Sequence, residues 1–145
     1  MDNSIKDEIK KKYSKIVISG NDDCCCMPGE CDSGDSPIDA TKLIGYSQKE
    51  LESIPQEAIL GVGCGAPINH TQLKEGETVV DLGSGAGIDI FLAARKVLDS
   101  GRAIGIDMTD DMLQKARENA KKGSYPNVEF KKGDIEENIP LNDNS

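Results

Sequence analysis

The sequence predicts an α/β fold built on a parallel, doubly wound sheet, of which three strands with flanking helices are present. Two observations carry this expectation. From residue 77 onward, short β-branched runs alternate with segments whose apolar residues recur at helical spacing. Between the first such run and the first such helix lies Gly83-Ser84-Gly85-Ala86-Gly87, a turn that only glycine makes easily.

Taken in order, Thr78-Val79-Val80-Asp81-Leu82 is the first strand, ending in glycine as a buried parallel strand does. Ile88 to Leu98 places Ile88, Phe91, Leu92 and Leu98 on one side of a helix, and Ser100-Gly101 stops it. Ala103-Ile104-Gly105-Ile106-Asp107 is the second strand. Thr109 caps a helix with Met112, Leu113, Ala116 and Ala120 facing inward, and Val128-Glu129-Phe130 is the third strand. Upstream, Ile5, Ile9, Tyr13 and Ile16 form one face of a helix over residues 4–16, with Ser4 as its N-cap. Residues 20–39 are rich in Gly, Asp, Ser and Pro and read as a loop carrying Cys24, Cys25, Cys26 and Cys31. Ser47-Gln48-Lys49-Glu50 is a capping box opening a short helix that ends by Pro55, and Gly61-Val62-Gly63-Cys64-Gly65-Ala66-Pro67 reads as a turn. The organisation expected is an N-terminal part over residues 1–72, helical and cysteine-rich, followed by the sheet over residues 73–145.

Composition narrows the function. With 145 residues, 17 Lys and Arg against 26 Asp and Glu and a net charge of -9, the chain would repel a polyphosphate backbone, so nucleic acid is not an expected partner. No apolar run nears the ~20 residues of a membrane helix, and residues 1–12 lack a signal-peptide core, so a cytoplasmic location is expected. The five cysteines, three of them adjacent, form no secreted disulfide framework and read as free thiols or soft-metal ligands.

The glycine spacing is informative in itself. A dinucleotide fingerprint reads G-x-G-x-x-G, which would need glycine at position 88, where Ile88 stands; the spacing here is G-x-G-x-G. Asp81 precedes the loop, and Asp107 ends the second strand where a carboxylate can accept both hydroxyls of a ribose. An acidic loop suits a ligand with an ammonium and a sulfonium better than a pyrophosphate. Asp81-Leu82-Gly83-Ser84-Gly85-Ala86-Gly87, then Asp107-Met108, then Gly133-Asp134-Ile135 resemble the cofactor motifs of Rossmann-like class I methyltransferases. The resemblance implies S-adenosylmethionine as cofactor, held by Asp81, Gly83, Ser84, Gly85, Gly87, Asp107, Met108, Asp134 and Ile135.

The stretch from Ile44-Gly45-Tyr46-Ser47 through Gly63-Cys64-Gly65 to the glycine loop is similar to the prokaryotic arsenite methyltransferase family. That resemblance implies Cys64 as a catalytic thiolate that ligates arsenic(III), with Cys24, Cys25, Cys26 and Cys31 as further candidate ligands, and arsenite and cellular thiols as substrates. Relatives often carry Asn-Pro after the G-C-G turn, where this chain has Ala66-Pro67. The single histidine, His70, reads as a surface or turn residue. The resemblance places the family's other two arsenic-binding cysteines beyond Ser145, so the expectation is a fragment inactive alone. Its first strand would be an open edge, to be covered by dimerisation or another segment. A methyltransferase acting on another small molecule, and a non-catalytic thiol protein binding metalloids, are the competing functions.

Overall fold

The computed structural model describes residues 3–19, 36–137 and 139–143; Cys24, Cys25, Cys26 and Cys31 lie outside the described residues. Strands β1 (Thr78–Leu82), β2 (Arg102–Asp107) and β3 (Val128–Lys132) pair in parallel in the order β1-β2-β3. The register sets Val79 beside Ala103 and Ala103 beside Val128. Central β2 buries Ala103, Ile104 and Ile106 in succession, which is why its sequence runs apolar without alternating. β1 is an edge: Val80 and Leu82 are exposed, and among the described residues no strand pairs with its outer side.

Parallel neighbours require crossovers. Helix α4 (Ile88–Val97) joins β1 to β2, and α5 (Asp110–Lys122) joins β2 to β3. α4 buries Ile90, Phe91, Leu92, Ala93, Ala94 and Val97, and Phe91 stacks obliquely on Tyr125 at 4.8 Å and edge-on to Phe130 at 5.9 Å between ring centres. The expected inward Leu98 is instead exposed: its φ of 58° leaves the helix, and Val97 takes the inner position. α5 carries Asp110 and Asp111 in its first turn and Lys121 and Lys122 in its last, as the helix dipole favours. Thr109 stands at its N-cap without a side-chain capping bond.

The N-terminal elements depart from expectation in two places. Helix α1 (Asn3–Ser19) starts before Ser4, so Ser4 lies inside it and is not the N-cap. Its Ile5 is 48% exposed, while Lys6 is buried together with Ile16. Ile9, Tyr13 and Ile16 keep the expected inner face, and Lys6 replaces Ile5 at its first position, where Asp134 and Glu136 meet its ammonium. Residues 36–39, expected as loop, open helix α2 (Pro37–Leu43): Ser36 Oγ accepts from the Asp39 amide and Pro37 takes the first helical position. Helix α3 (Gln48–Glu52) has the expected capping box, the Glu50 carboxylate accepting from the Ser47 amide at 2.8 Å. Short 3-10 turns follow at Gln56–Ala58 and Pro67–His70. Tyr46, Leu51, Ile54, Ala58, Ile59 and Ile68 share one apolar cluster with Ile90, Phe91 and Leu113, so the segment ahead of the sheet packs into the sheet's own core. Among the described residues no helix is long and apolar enough to cross a membrane.

Candidate active site

A cavity of about 510 Å³ opens at the carboxyl ends of the strands, where doubly wound sheets bind ligands, and its size is typical of small-molecule sites. The β1–α4 turn forms one wall. Gly83, Gly85 and Gly87 have φ of 87°, 52° and 97°, a region where side chains are strained. Their surroundings differ. A β-carbon on Gly83 would meet nothing within 4 Å, and one on Gly85 only Met112 Sδ at 3.9 Å, so both present bare backbone to open space. A β-carbon on Gly87 would strike Phe130 at 2.8 Å and Phe91 at 2.9 Å. Gly87 therefore seats α4 on the core and does not line the cavity.

The turn is held from below. The Gly83 and Ser84 amides both donate to the Ile106 carbonyl, at 2.8 and 3.0 Å. Asp107, at the end of β2, accepts from the Gly85 amide through Oδ2 at 2.9 Å and from the Thr109 amide through Oδ1 at 2.8 Å. This carboxylate thus ties the glycine turn to the start of α5, and each oxygen keeps a lone pair for a ligand hydroxyl. Ser84 also lines the cavity, but its hydroxyl is buried against Gly105 and has no hydrogen-bond partner among the described residues. Gly105 is required there, since a β-carbon would lie 2.6 Å from Ser84 Oγ and from Phe130.

The cavity is acidic. Burial first, then the nearby carboxylates of Asp89 and Asp107, push the Asp81 carboxyl up to about 6. Burial also raises Asp89, against the lowering effect of the Tyr46 hydroxyl, which donates to Asp89 Oδ2 at 2.8 Å. Burial and the Asp89 charge in turn hold the Tyr46 phenol well above its usual range, so Tyr46 remains a donor. Sequence reasoning placed neither this Tyr46–Asp89 pair nor Lys6, Ile9 and Tyr13 of α1 at the site, yet all of them line the cavity.

Of the residues singled out from sequence, Cys64, Asp81, Gly83, Ser84, Gly85, Asp107, Met108, Asp134 and Ile135 meet in this one cavity. Cys64 is exposed on the Gly61–Gly65 turn, which lies close against α2: Gly61 sits where a β-carbon would be 3.1 Å from Pro37 Cα, and Gly63 where one would be 2.8 Å from Ile44 Cδ1. Asp134 is already engaged, Oδ2 accepting from Lys6 Nζ at 2.7 Å and Oδ1 from the Glu136 amide at 3.0 Å. His70 is exposed and outside the cavity, as expected. Among the described residues no group of three or more His, Cys, Asp or Glu side chains is arranged to hold a metal ion.

The model of the family described as Methyltransferase domain matches residues 73–145. An arsenite methyltransferase of Halobacterium salinarum is 40% identical over 97% of this chain and 37% of its own length. Another, of Aquipseudomonas alcaligenes, is 29% identical over 90% of this chain and 36% of its own length. The chain thus spans a little over a third of the length of these curated relatives. Among solved structures, an arsenic(III) S-adenosylmethionine methyltransferase of Chlamydomonas reinhardtii is 31% identical, with 67% of this chain and 32% of that chain covered and a TM-score of 0.46. A parallel sheet, a G-x-G-x-G turn with acids at Asp81 and Asp107, and a family match over the residues that form them lead to one assignment: the chain belongs to the methyltransferase-domain family.

Proposed function

We propose that the chain binds S-adenosylmethionine in this cavity and is part of an enzyme that transfers a methyl group to trivalent arsenic, with Cys64 as one of the thiolates that ligate the metalloid. The observation that carries the reading is the meeting of the bare glycine turn, the Asp81 and Asp107 carboxylates and the Cys64 thiol on one cavity. The residues fit the cofactor. Gly83 and Gly85 leave room for close approach, Asp107 retains lone pairs for ribose hydroxyls, and the carboxylate at Asp81 suits an ammonium. Met108, Asp134 and Ile135 would flank the remainder.

When bound, the cofactor supplies a methyl group on a sulfonium, a centre that needs no further activation. Arsenic(III) is thiophilic, and a thiolate-held arsenic keeps its lone pair. The residues then need only hold the two reactants in line, a contribution of position and not of proton transfer. A cavity whose described lining contains acids and a thiol but no histidine is consistent with that economy. The likeness to arsenite methyltransferases, which runs through the N-terminal residues as well as the sheet, supports the choice of acceptor.

The test is titration calorimetry with S-adenosylhomocysteine and with NADH, followed by arsenite titration of the wild type and of Cys64→Ser. Binding of the nucleoside thioether but not of NADH, lost in Asp107→Ala, is expected. Arsenite affinity should fall in Cys64→Ser. NADH binding would overturn the cofactor assignment, and undiminished arsenite binding by Cys64→Ser would overturn the role of that thiol.

A further inference from the structure

Helix α1 contributes an unusual residue to the cavity wall. Lys6, Ile9 and Tyr13 lie on one helical face and all line the cavity, and Lys6 is only 7% exposed. A buried ammonium needs compensation by charge and hydrogen bonds. It finds them in the segment after β3: Nζ lies 2.7 Å from Asp134, 3.2 Å from Glu136 and 3.9 Å from Glu137. The effect is mutual. The hydrogen bond to Asp134 raises the Lys6 amine, and the same bond, with the Glu136 amide, holds Asp134 below the ordinary carboxylate range. The apolar stem of Lys6 meanwhile lies beside Ile9 and Tyr13, so one side chain both covers the cavity and reaches its acidic rim.

We propose that Lys6 is a positioning residue of the cavity: by pairing with Asp134 it fixes that carboxylate at the cavity rim and seats α1 as the outer wall, thereby setting how long a bound cofactor stays. The proposal rests on the cofactor reading above. Without Lys6, Asp134 would lose the ammonium 2.7 Å from it while Glu136 and Glu137 stand nearby, and α1 would lose a polar tie between its first turns and the strand ends. α1 would remain attached through its packing on α5. The loss is therefore of placement, not of the fold.

The experiment compares wild type, Lys6→Met and Lys6→Arg. Methionine keeps the length and apolar stem and removes the charge; arginine restores the charge. S-adenosylhomocysteine affinity and release rate are measured by calorimetry and stopped-flow fluorescence, and amide exchange of residues 3–19 and 102–107 is measured without ligand. The expected result is release roughly tenfold faster from Lys6→Met, as loss of a charge-assisted hydrogen bond predicts, with recovery to near wild type in Lys6→Arg. Exchange should quicken in residues 3–19 of Lys6→Met while β2 is unchanged, a split that general destabilisation would not give. Release from Lys6→Met within twofold of wild type, or unaltered exchange in residues 3–19, would overturn the proposal and leave the cofactor reading intact. Failure of the wild type to bind S-adenosylhomocysteine would overturn the cofactor reading itself, and this proposal with it.

Discussion

Asp81→Asn asks whether the cavity sacrifices stability to receive a cation. The Asp81 carboxyl titrates at about 6 in the folded protein against an ordinary 3.8, chiefly through burial and then through Asp89 and Asp107. A difference of roughly two pH units corresponds to about 3 kcal/mol, an upper figure for a group with some solvent contact. The sign is opposite to that of a salt-bridged acid. Between the two pKa values the folded state binds more protons than the unfolded one, so the penalty grows as pH rises from about 4 to 6 and is complete above 6. Asparagine, near in shape and uncharged, should make the ligand-free protein more stable at pH 7 by up to about 3 kcal/mol, or several degrees in melting temperature. The gain should vanish by about pH 4. Ligand affinity should move the other way. A cationic ligand stabilises ionised Asp81, so protons compete with it: the dissociation constant of S-adenosylhomocysteine should be flat above pH 6 and rise about tenfold per unit below. In Asp81→Asn it should be weaker and flat. Urea melts at pH 7 and pH 4, with calorimetry across the same range, provide the measurements. A variant less stable than wild type at pH 7, or one that keeps the acid-side slope in affinity, would refute the reasoning.

The two kinds of loop glycine should separate cleanly. Gly83→Ala should cost about 1 kcal/mol for its φ of 87° but weaken S-adenosylhomocysteine binding at least tenfold, whereas Gly87→Ala, driven into Phe130 and Phe91, should lower stability by about 3 kcal/mol; urea melts and calorimetry distinguish them. Tyr46→Phe removes the donor to the buried Asp89 carboxylate and should destabilise by about 1–2 kcal/mol at pH 7, read by urea melts. Asn119 is fully buried and neither side-chain polar atom has a hydrogen-bond partner among the described residues, so Asn119→Leu should raise stability by about 1 kcal/mol, seen as a higher urea midpoint at unchanged slope.

What could be read from the sequence was what is local in the chain. Strands β1 to β3, helices α4 and α5 and the Ser47–Glu50 capping box each declare themselves within a few residues, by period, by glycine or by cap. So did the glycine turn, because its three glycines and two acids stand at fixed offsets along one strand–helix–strand unit. Features that rest on distant partners were hidden. Ile5 and Lys6 both suit the helical spacing to Ile9, so apolarity favoured Ile5; Lys6 turns inward where Asp134, 128 residues away, and Glu136 meet its charge. Tyr46 and Asp89 meet across 43 residues. Two nearer features carry signals with two meanings: Ser36-Pro37 suits a turn as well as a helix start, and Leu98 matches Val97 in apolarity but is itself the residue whose positive φ ends α4.

The electrostatics of the cavity bear on its ligand independently of any likeness to known proteins. Its described lining includes the carboxyl groups of Asp81, Asp89, Asp107, Asp134 and Glu136 and a single amine, Lys6, which Asp134 and Glu136 already neutralise. A pyrophosphate placed at the β1–α4 turn would meet Asp81 and Asp107 in a low-dielectric wall, where like charges repel strongly. The turn nevertheless keeps the bare backbone of a nucleotide site. Two requirements are thus combined: room for a nucleoside against Gly83 and Gly85, and a positive charge near Asp81. A nucleoside that carries cationic groups in place of phosphates satisfies both, which is why the spacing of the glycines and the placement of the acids point to the same class of ligand.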